Sequence, residues 1–162
     1  MNRDELNGIY QKLEAKMHDI SAPFLSLHKG HPFTCGYYNG HYSKNSNGEY
    51  TMDYFPIPVI SLEKLCDIEI GLENISLTTK LSRDLALKFD YTKIDNYYFE
   101  VYGVKEYLED FYVEGNTFQE LISNISSSTE KELGISFQFA WDITPEQIEN
   151  LVRLLKKEGF YY

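Results

Sequence analysis

The stretch Ile135-Ser136-Phe137-Gln138-Phe139-Ala140-Trp141 decides the fold class. Large apolar side chains alternate in it with small or polar ones, the period-two pattern of a strand with one face buried and the other facing water. A helix follows, since Thr144 and Gln147 form a capping box around Pro145 and Gly159 ends the apolar periodicity. A half-buried strand joined to an amphipathic helix predicts a sheet with helices against its apolar face.

Similar strand patterns recur upstream of this stretch. One hairpin is predicted from residues 66–72 and 75–81, and another from residues 33–42 and 49–55, with Asn47-Gly48 in its turn. A further strand is predicted over Tyr97–Val104. Proline cannot donate to a sheet ladder, so residues 55–60, with prolines at 56 and 58, are predicted to be extended chain at an edge or in a crossover.

Helical patterns occupy several other segments. Apolar residues at three- and four-residue spacing predict a helix over residues 3–20, and Thr117 with Glu120 forms a capping box for another. Residues 82–91 fit a strand or a short helix, and Ser82 as a helix cap favours the helix. Residues 105–113 are predicted to form one or two helical turns.

These elements together predict an α+β fold. We expect a mainly antiparallel sheet of about five to six strands with helices packed on one face, as a single two-layer domain over residues 1–162. A length of 162 residues is typical of one domain, and 43% hydrophobic residues are enough for its core.

Charge and composition exclude some classes of partner. The formal net charge is -10, so phosphate backbones and anionic membranes repel the chain, and we expect neither nucleic-acid nor membrane binding. No apolar run approaches the 18 residues of a membrane span, and the N-terminus resembles no secretory signal. Cytoplasmic localisation is the expectation.

The sequence carries no recognisable catalytic motif, and we expect neither an enzyme nor a cofactor. There is no glycine-rich phosphate loop, no G-x-S-x-G and no H-E-x-x-H. Cys66 precedes an apolar strand and is predicted to be a buried structural thiol. Asp53, Asp67 and Glu69 could line a groove as acid and base, but a solvated sheet face explains them better.

One cluster of soft metal ligands leaves an alternative open. His28, His31, Cys35 and His41 could converge on a metal ion, because zinc takes imidazole and thiolate ligands. Within one extended strand, however, Cys35 and His41 would lie about 20 Å apart. Loop histidines and a buried cysteine are the simpler interpretation.

The segment 97–114 gives the strongest hint of binding. Aromatic residues alternate there with acids, and rings supply contact area while carboxylates steer a basic partner. The candidate binding residues are Tyr98, Glu100, Tyr102, Glu106, Glu109, Asp110 and Tyr112. The competing interpretation is that these rings belong to the core and the acids to its solvated edge.

Two hypotheses follow. The first is a non-catalytic module that binds a basic protein through an acidic, tyrosine-rich surface, as small inhibitors of basic toxins or nucleases do; this analogy rests on charge alone. The second is a small metal- or ligand-binding domain, or an enzyme, built around His28, His31, Cys35 and His41. A homodimer formed through the surplus aromatic residues is compatible with either.

Overall fold

The structure, a computed structural model, describes residues 2–23, 33–37, 41–54, 57–94, 98–103, 111–113 and 118–162. Four α-helices lie in these ranges: α1 (Arg3–Ser21), α2 (Arg83–Lys88), α3 (Phe118–Ser127) and α4 (Pro145–Glu158). Nine strands lie in the same ranges: β1 (Phe33–Tyr37), β2 (His41–Lys44), β3 (Tyr50–Tyr54), β4 (Pro58–Leu62), β5 (Cys66–Ile70), β6 (Asn74–Ser82), β7 (Tyr98–Gly103), β8 (Phe111–Val113) and β9 (Glu132–Ala140).

Seven of the strands form one sheet in the order β1-β4-β5-β6-β9-β7-β8, and every pairing in it is antiparallel. The two nine-residue strands, β6 and β9, lie at its centre and pair along their whole length. β2 and β3 form a separate two-stranded sheet. The predicted α+β class is confirmed, and the main sheet is larger than the predicted five to six strands.

Alternating side chains give the main sheet one apolar face. Ile68, Leu77, Ile135 and Phe137 are fully buried, while their neighbours along each strand, apart from Gly134, are only half-buried. The apolar stripes of α1, α3 and α4 complete the same core, through residues such as Leu13, Leu121, Ile148 and Leu151. The helices therefore cover one face of the sheet, as the alternation at residues 135–141 predicts.

Local signals set the helix boundaries. Thr144 accepts a hydrogen bond from the backbone of Gln147 and completes the predicted capping box, and Gly159 adopts the left-handed conformation that ends α4. Ser82 caps α2 in the same way, so residues 83–88 of the ambiguous segment are helical. A 3₁₀ turn follows over Tyr91–Lys93.

Three local predictions are wrong. The predicted strand 33–42 consists of β1 and β2, which belong to different sheets. β4 pairs with β1 on one side and β5 on the other, so it is not an edge strand. The sheet tolerates Pro58 because it stands at the first position of the strand. Residues 111–113 form the strand β8 and not the predicted helical turns, and residues 104–110 lie outside the described ranges.

Among the helices of the described ranges, none is long and apolar enough to cross a membrane.

Candidate functional site

The sheet presents a polar surface on the side away from the helices. We define the open face as the half-buried side chains of β5, β6, β9 and β7 on that side, together with Gly134. Its members are Asp67, Glu69, Ser76, Thr78, Lys80, Glu132, Gly134, Ser136, Gln138, Tyr98, Glu100 and Tyr102. Hydroxyl and carboxamide groups occupy its middle, and acids and tyrosines lie toward the outer strands.

Three of the predicted binding residues lie together on the open face. Tyr98, Glu100 and Tyr102 occupy alternate positions of β7, and all three are half-buried. The hydroxyl of Tyr98 donates a hydrogen bond to Oε1 of Glu100 at 3.2 Å. Their shared face follows from the period of two along a strand, which the sequence already indicated.

Of the other four predicted binding residues, the structure describes one. Tyr112 lies in β8 at the register position opposite Glu100, on the strand next to β7. Glu106, Glu109 and Asp110 lie outside the described residues. The structure therefore brings the β7 part of the predicted surface together, and the acids of 106–110 remain a prediction.

Glu100 of β7 lies far across the sheet from the acids of β5. In register, Glu100 is followed across the sheet by Ser136, Thr78 and then Asp67. Three strand spacings separate Glu100 from Asp67, or about 14 Å. Glu100 and Asp67 are therefore too far apart to act as an acid–base pair. Of the three acids of the predicted groove, Asp67 and Glu69 lie in β5, whereas Asp53 lies in β3 of the other sheet.

The aromatic ring of Tyr102 covers Gly134 on the neighbouring strand. A Cβ atom at residue 134 would lie 2.7 Å from Cζ of Tyr102, so only glycine leaves room for the ring in this position. The ring of Tyr102 therefore occupies the space next to Gly134 of β9. The pair fixes one aromatic element of the open face against the middle of the sheet.

The C-terminal residues add two tyrosines that the sequence interpretation missed. Tyr161 and Lys80 exchange backbone hydrogen bonds of 2.7 and 2.9 Å, which places residue 161 beside β6 where β5 no longer pairs with it. The hydroxyl of Tyr161 donates to Oε2 of Glu132. The Lys80 ammonium lies 5.5 Å from the centre of the Tyr162 ring. An apolar tail predicted only that these residues dock, because their docking position depends on tertiary contacts.

The electrostatics of the tail reflect the acids of the open face. Burial raises the pKa of Tyr161 to about 12, and the hydrogen bond to Glu132 and its negative charge act in the same direction. Burial also raises the pKa of Tyr162, with further contributions from the charges of Asp67 and Glu69. Both phenols are therefore neutral near pH 7, and the Tyr161 hydroxyl is hydrogen-bonded to a carboxylate.

Cys66 is unsuited to catalysis. The residue is fully buried, and burial followed by the charge of Asp67 raises the pKa of its thiol above the ordinary value. A nucleophilic cysteine requires the opposite shift. The predicted role as a buried structural thiol agrees with this environment.

The metal hypothesis gains no support from the described residues. Cys35 lies in β1 of the main sheet and His41 in β2 of the two-stranded sheet, so the argument that placed them along one strand is wrong. His28 and His31 lie outside the described residues. In the part of the chain that the structure describes, no group of three or more His, Cys, Asp or Glu could hold a metal ion.

Two shallow pockets lie on the described surface, and the first borders the open face at Tyr98 and Gln138. One, of about 440 Å³, lies at the end of β9 and includes Tyr98, Asp142 and Gln147 in its lining. The side chain of Gln147 already accepts hydrogen bonds from Thr144. The other, of about 360 Å³, lies between α2 and α3 and is mostly apolar. Histidine, cysteine and lysine are absent from the lining residues of both.

Comparison with known proteins gives information about the fold alone. No protein-family model matches the chain, and no curated protein matches it either. A solved structure, a conserved hypothetical protein from Pyrococcus furiosus, superposes with a TM-score of 0.64 over 96% of this chain and 95% of that one. At 11% sequence identity this similarity shows a shared fold.

Proposed function

We propose that the protein is a non-catalytic interaction module whose open face binds a basic protein partner. The observation that carries the proposal is the placement of Tyr98, Glu100 and Tyr102 on one face of β7, with Asp67 and Glu69 on the same face of β5. A sheet holds these groups at fixed positions, so little side-chain freedom is lost when a partner docks.

The charges on the open face favour a basic partner. Among its described members, four carry carboxylates, at residues 67, 69, 100 and 132, and Lys80 carries the positive charge. Nζ of Lys80 lies 3.9 Å from Oε1 of Glu132, so the carboxylate offsets much of the positive charge locally. These charges are part of a net charge of -10, so long-range electrostatics attract basic proteins to the open face and repel acidic ones.

The tyrosines supply the contact that charge alone does not. Tyrosine is enriched at the centre of interfaces, because its ring buries a large apolar area while its hydroxyl keeps a hydrogen bond. Tyr98 and Tyr102 are half-buried in the free chain, so their side chains are already ordered. This combination of ordered rings and negative charge suits the recognition of a basic partner.

Capture experiments with matched charge variants test the proposal. The open-face variant combines Glu69→Gln with Glu100→Gln, and the control combines Glu14→Gln with Glu120→Gln on the exposed sides of α1 and α3. Both change the net charge equally. Immobilised wild type and control should capture the same basic protein from a lysate of the source cells, identified by mass spectrometry.

The open-face variant should capture that protein at least five-fold less, and capture by wild type should weaken as salt rises from about 50 to 300 mM, because salt screens exposed charges. Equal capture by the two variants would contradict the proposal. So would capture that does not respond to salt, or no capture by wild type.

A further inference from the structure

The C-terminal ring of Tyr162 is placed to receive a cation. It is 46% exposed, while most other large apolar and aromatic side chains of the described residues are buried or half-buried. The Lys80 ammonium already lies 5.5 Å from its centre, so the chain itself places one cation against this ring. Because the ring is exposed, a cation of a partner protein can also bind to it.

Backbone pairing holds this ring at the edge of the open face. Tyr161 is bonded to Lys80 through both backbone groups, and its carbonyl oxygen lies 3.1 Å from the hydroxyl of Thr79. Phe160, which precedes them, is buried in the core. Phe160 and Tyr161 are thus both anchored, so Tyr162 is presented from a fixed base.

Carboxylates stand next to the ring. Asp67 and Glu69 occupy the open face of β5, the strand whose line the tail continues beside β6. The antiparallel bridge between Lys80 and Tyr161 directs the tail toward Asp67, which pairs with Thr78 two residues along β6. Burial, followed by the charges of Asp67 and then Glu69, raises the pKa of the Tyr162 phenol. A ring at the same edge as these carboxylates offers a guanidinium group a stacking surface together with negative charge.

We propose that Tyr162, with Asp67 and Glu69, is the point of the open face at which the basic partner inserts an arginine side chain. The inference rests on the proposed function and deepens it by naming the residue type that is recognised. Arginine fits better than lysine, because its planar and weakly hydrated guanidinium stacks on aromatic rings and bonds carboxylates through two N–H groups.

A short cationic peptide serves as the probe. Acetylated hexaarginine amide is titrated into the full chain at about 50 mM salt by calorimetry, with hexalysine and hexacitrulline amides for comparison. Hexaarginine should bind more tightly than hexalysine, and hexacitrulline should not bind. Tyr162→Leu should weaken hexaarginine binding about two- to five-fold, the range that an exposed cation–π contact supports.

Two further variants identify the ring as the cause. Tyr162→Phe keeps the ring and should bind hexaarginine like wild type. Tyr10→Leu removes a half-exposed tyrosine from α1, on the other layer, and should have no effect. Thermal unfolding of each variant establishes that it is folded.

The outcomes separate this inference from the proposed function. If Tyr162→Leu binds hexaarginine like wild type while Glu100→Gln binds it less well, the open face binds cations and the assignment to Tyr162 is wrong. If Tyr162→Phe loses as much affinity as Tyr162→Leu, the ring is not the contact and the assignment is again wrong. If wild type binds none of the peptides, the inference and the proposed function fail together.

Discussion

The two faces of the main sheet use the same strands for different purposes. On the covered face, Ile68, Leu77, Ile135 and Phe137 have no exposed surface, and helices pack over them. On the open face, the neighbouring residues along each strand are polar and half-buried. Folding stability therefore depends mainly on the residues of the covered face, whereas the residues of the open face are available for binding. The contrast predicts that adjacent substitutions have very different effects.

The largest expected effect is on the covered face, at Phe137. Its ring packs 5.6 Å from Phe99 and 6.5 Å from Phe139, centre to centre, and is fully buried. Phe137→Ala should lower the free energy of unfolding by about 3 to 5 kcal/mol, from lost burial and a cavity. The adjacent Ser136→Ala, on the open face, should change it by less than about 0.5 kcal/mol.

Urea unfolding measures both variants. Similar losses for the two would show that the open face is packed as tightly as the covered one, and the division into a structural and a binding face would not hold.

A second test compares two adjacent threonines. Thr79 is fully buried, and its hydroxyl donates to the backbone oxygen of Leu65 at 2.7 Å, whereas Thr78 lies on the open face. Thr79→Val should cost about 1 to 3 kcal/mol, because it leaves a buried carbonyl without that donor. Thr78→Val should be nearly neutral by the same urea measurement. The reverse order would contradict the assignment of faces.

The third test concerns the place where the open face is closely packed. Gly134→Ala should cost about 1 kcal/mol, because the new methyl group displaces the ring of Tyr102. In a Tyr102→Ala background the same change should be neutral or stabilising, since the space is then empty and alanine suits a strand better than glycine. A double-mutant cycle by urea unfolding measures the coupling. An equal cost in both backgrounds would mean that the ring does not restrict residue 134.

The smallest expected effect is a pH dependence at the edge of the open face. The pKa of Tyr161 is about 12 in the folded chain, above the value of about 10 for an unfolded tyrosine. Between these values the folded state retains a proton that the unfolded state loses, so this residue makes stability fall as pH rises from 10 to 12. Tyr161→Phe should reduce that fall, measured by urea unfolding at pH 9 and pH 11. An unchanged slope would assign the alkaline loss to other groups.

Most helices and strands, and one candidate surface, could be predicted from the sequence. The alternation of residues 135–141 and the caps at Thr144 and Ser82 depend on neighbours in sequence, so local patterns were sufficient. The break between β1 and β2 was missed, because nothing in the apolar pattern of 33–42 shows that its halves join different sheets. The strand at 111–113 was missed because aromatic and acidic residues there fit helical turns equally well.

The binding hypothesis shows the same limit. Tyr98, Glu100 and Tyr102 could be predicted to share a face, since they alternate along one strand. The addition of Tyr162, Asp67 and Glu69 could not, because they are separated along the chain by about ninety residues and meet only through the docking of the tail beside β6.

Taken alone, the amino-acid order determined the class of fold and which side chains of β5, β6, β7 and β9 lie on the open face, because burial repeats every second residue in a strand. Only the tertiary structure decided that β9 lies between β6 and β7, and that the C-terminal tyrosines extend the acidic face. Strand partners are selected by the packing of residues far apart in sequence, and the pattern within any single strand carries no record of which neighbour it will bond.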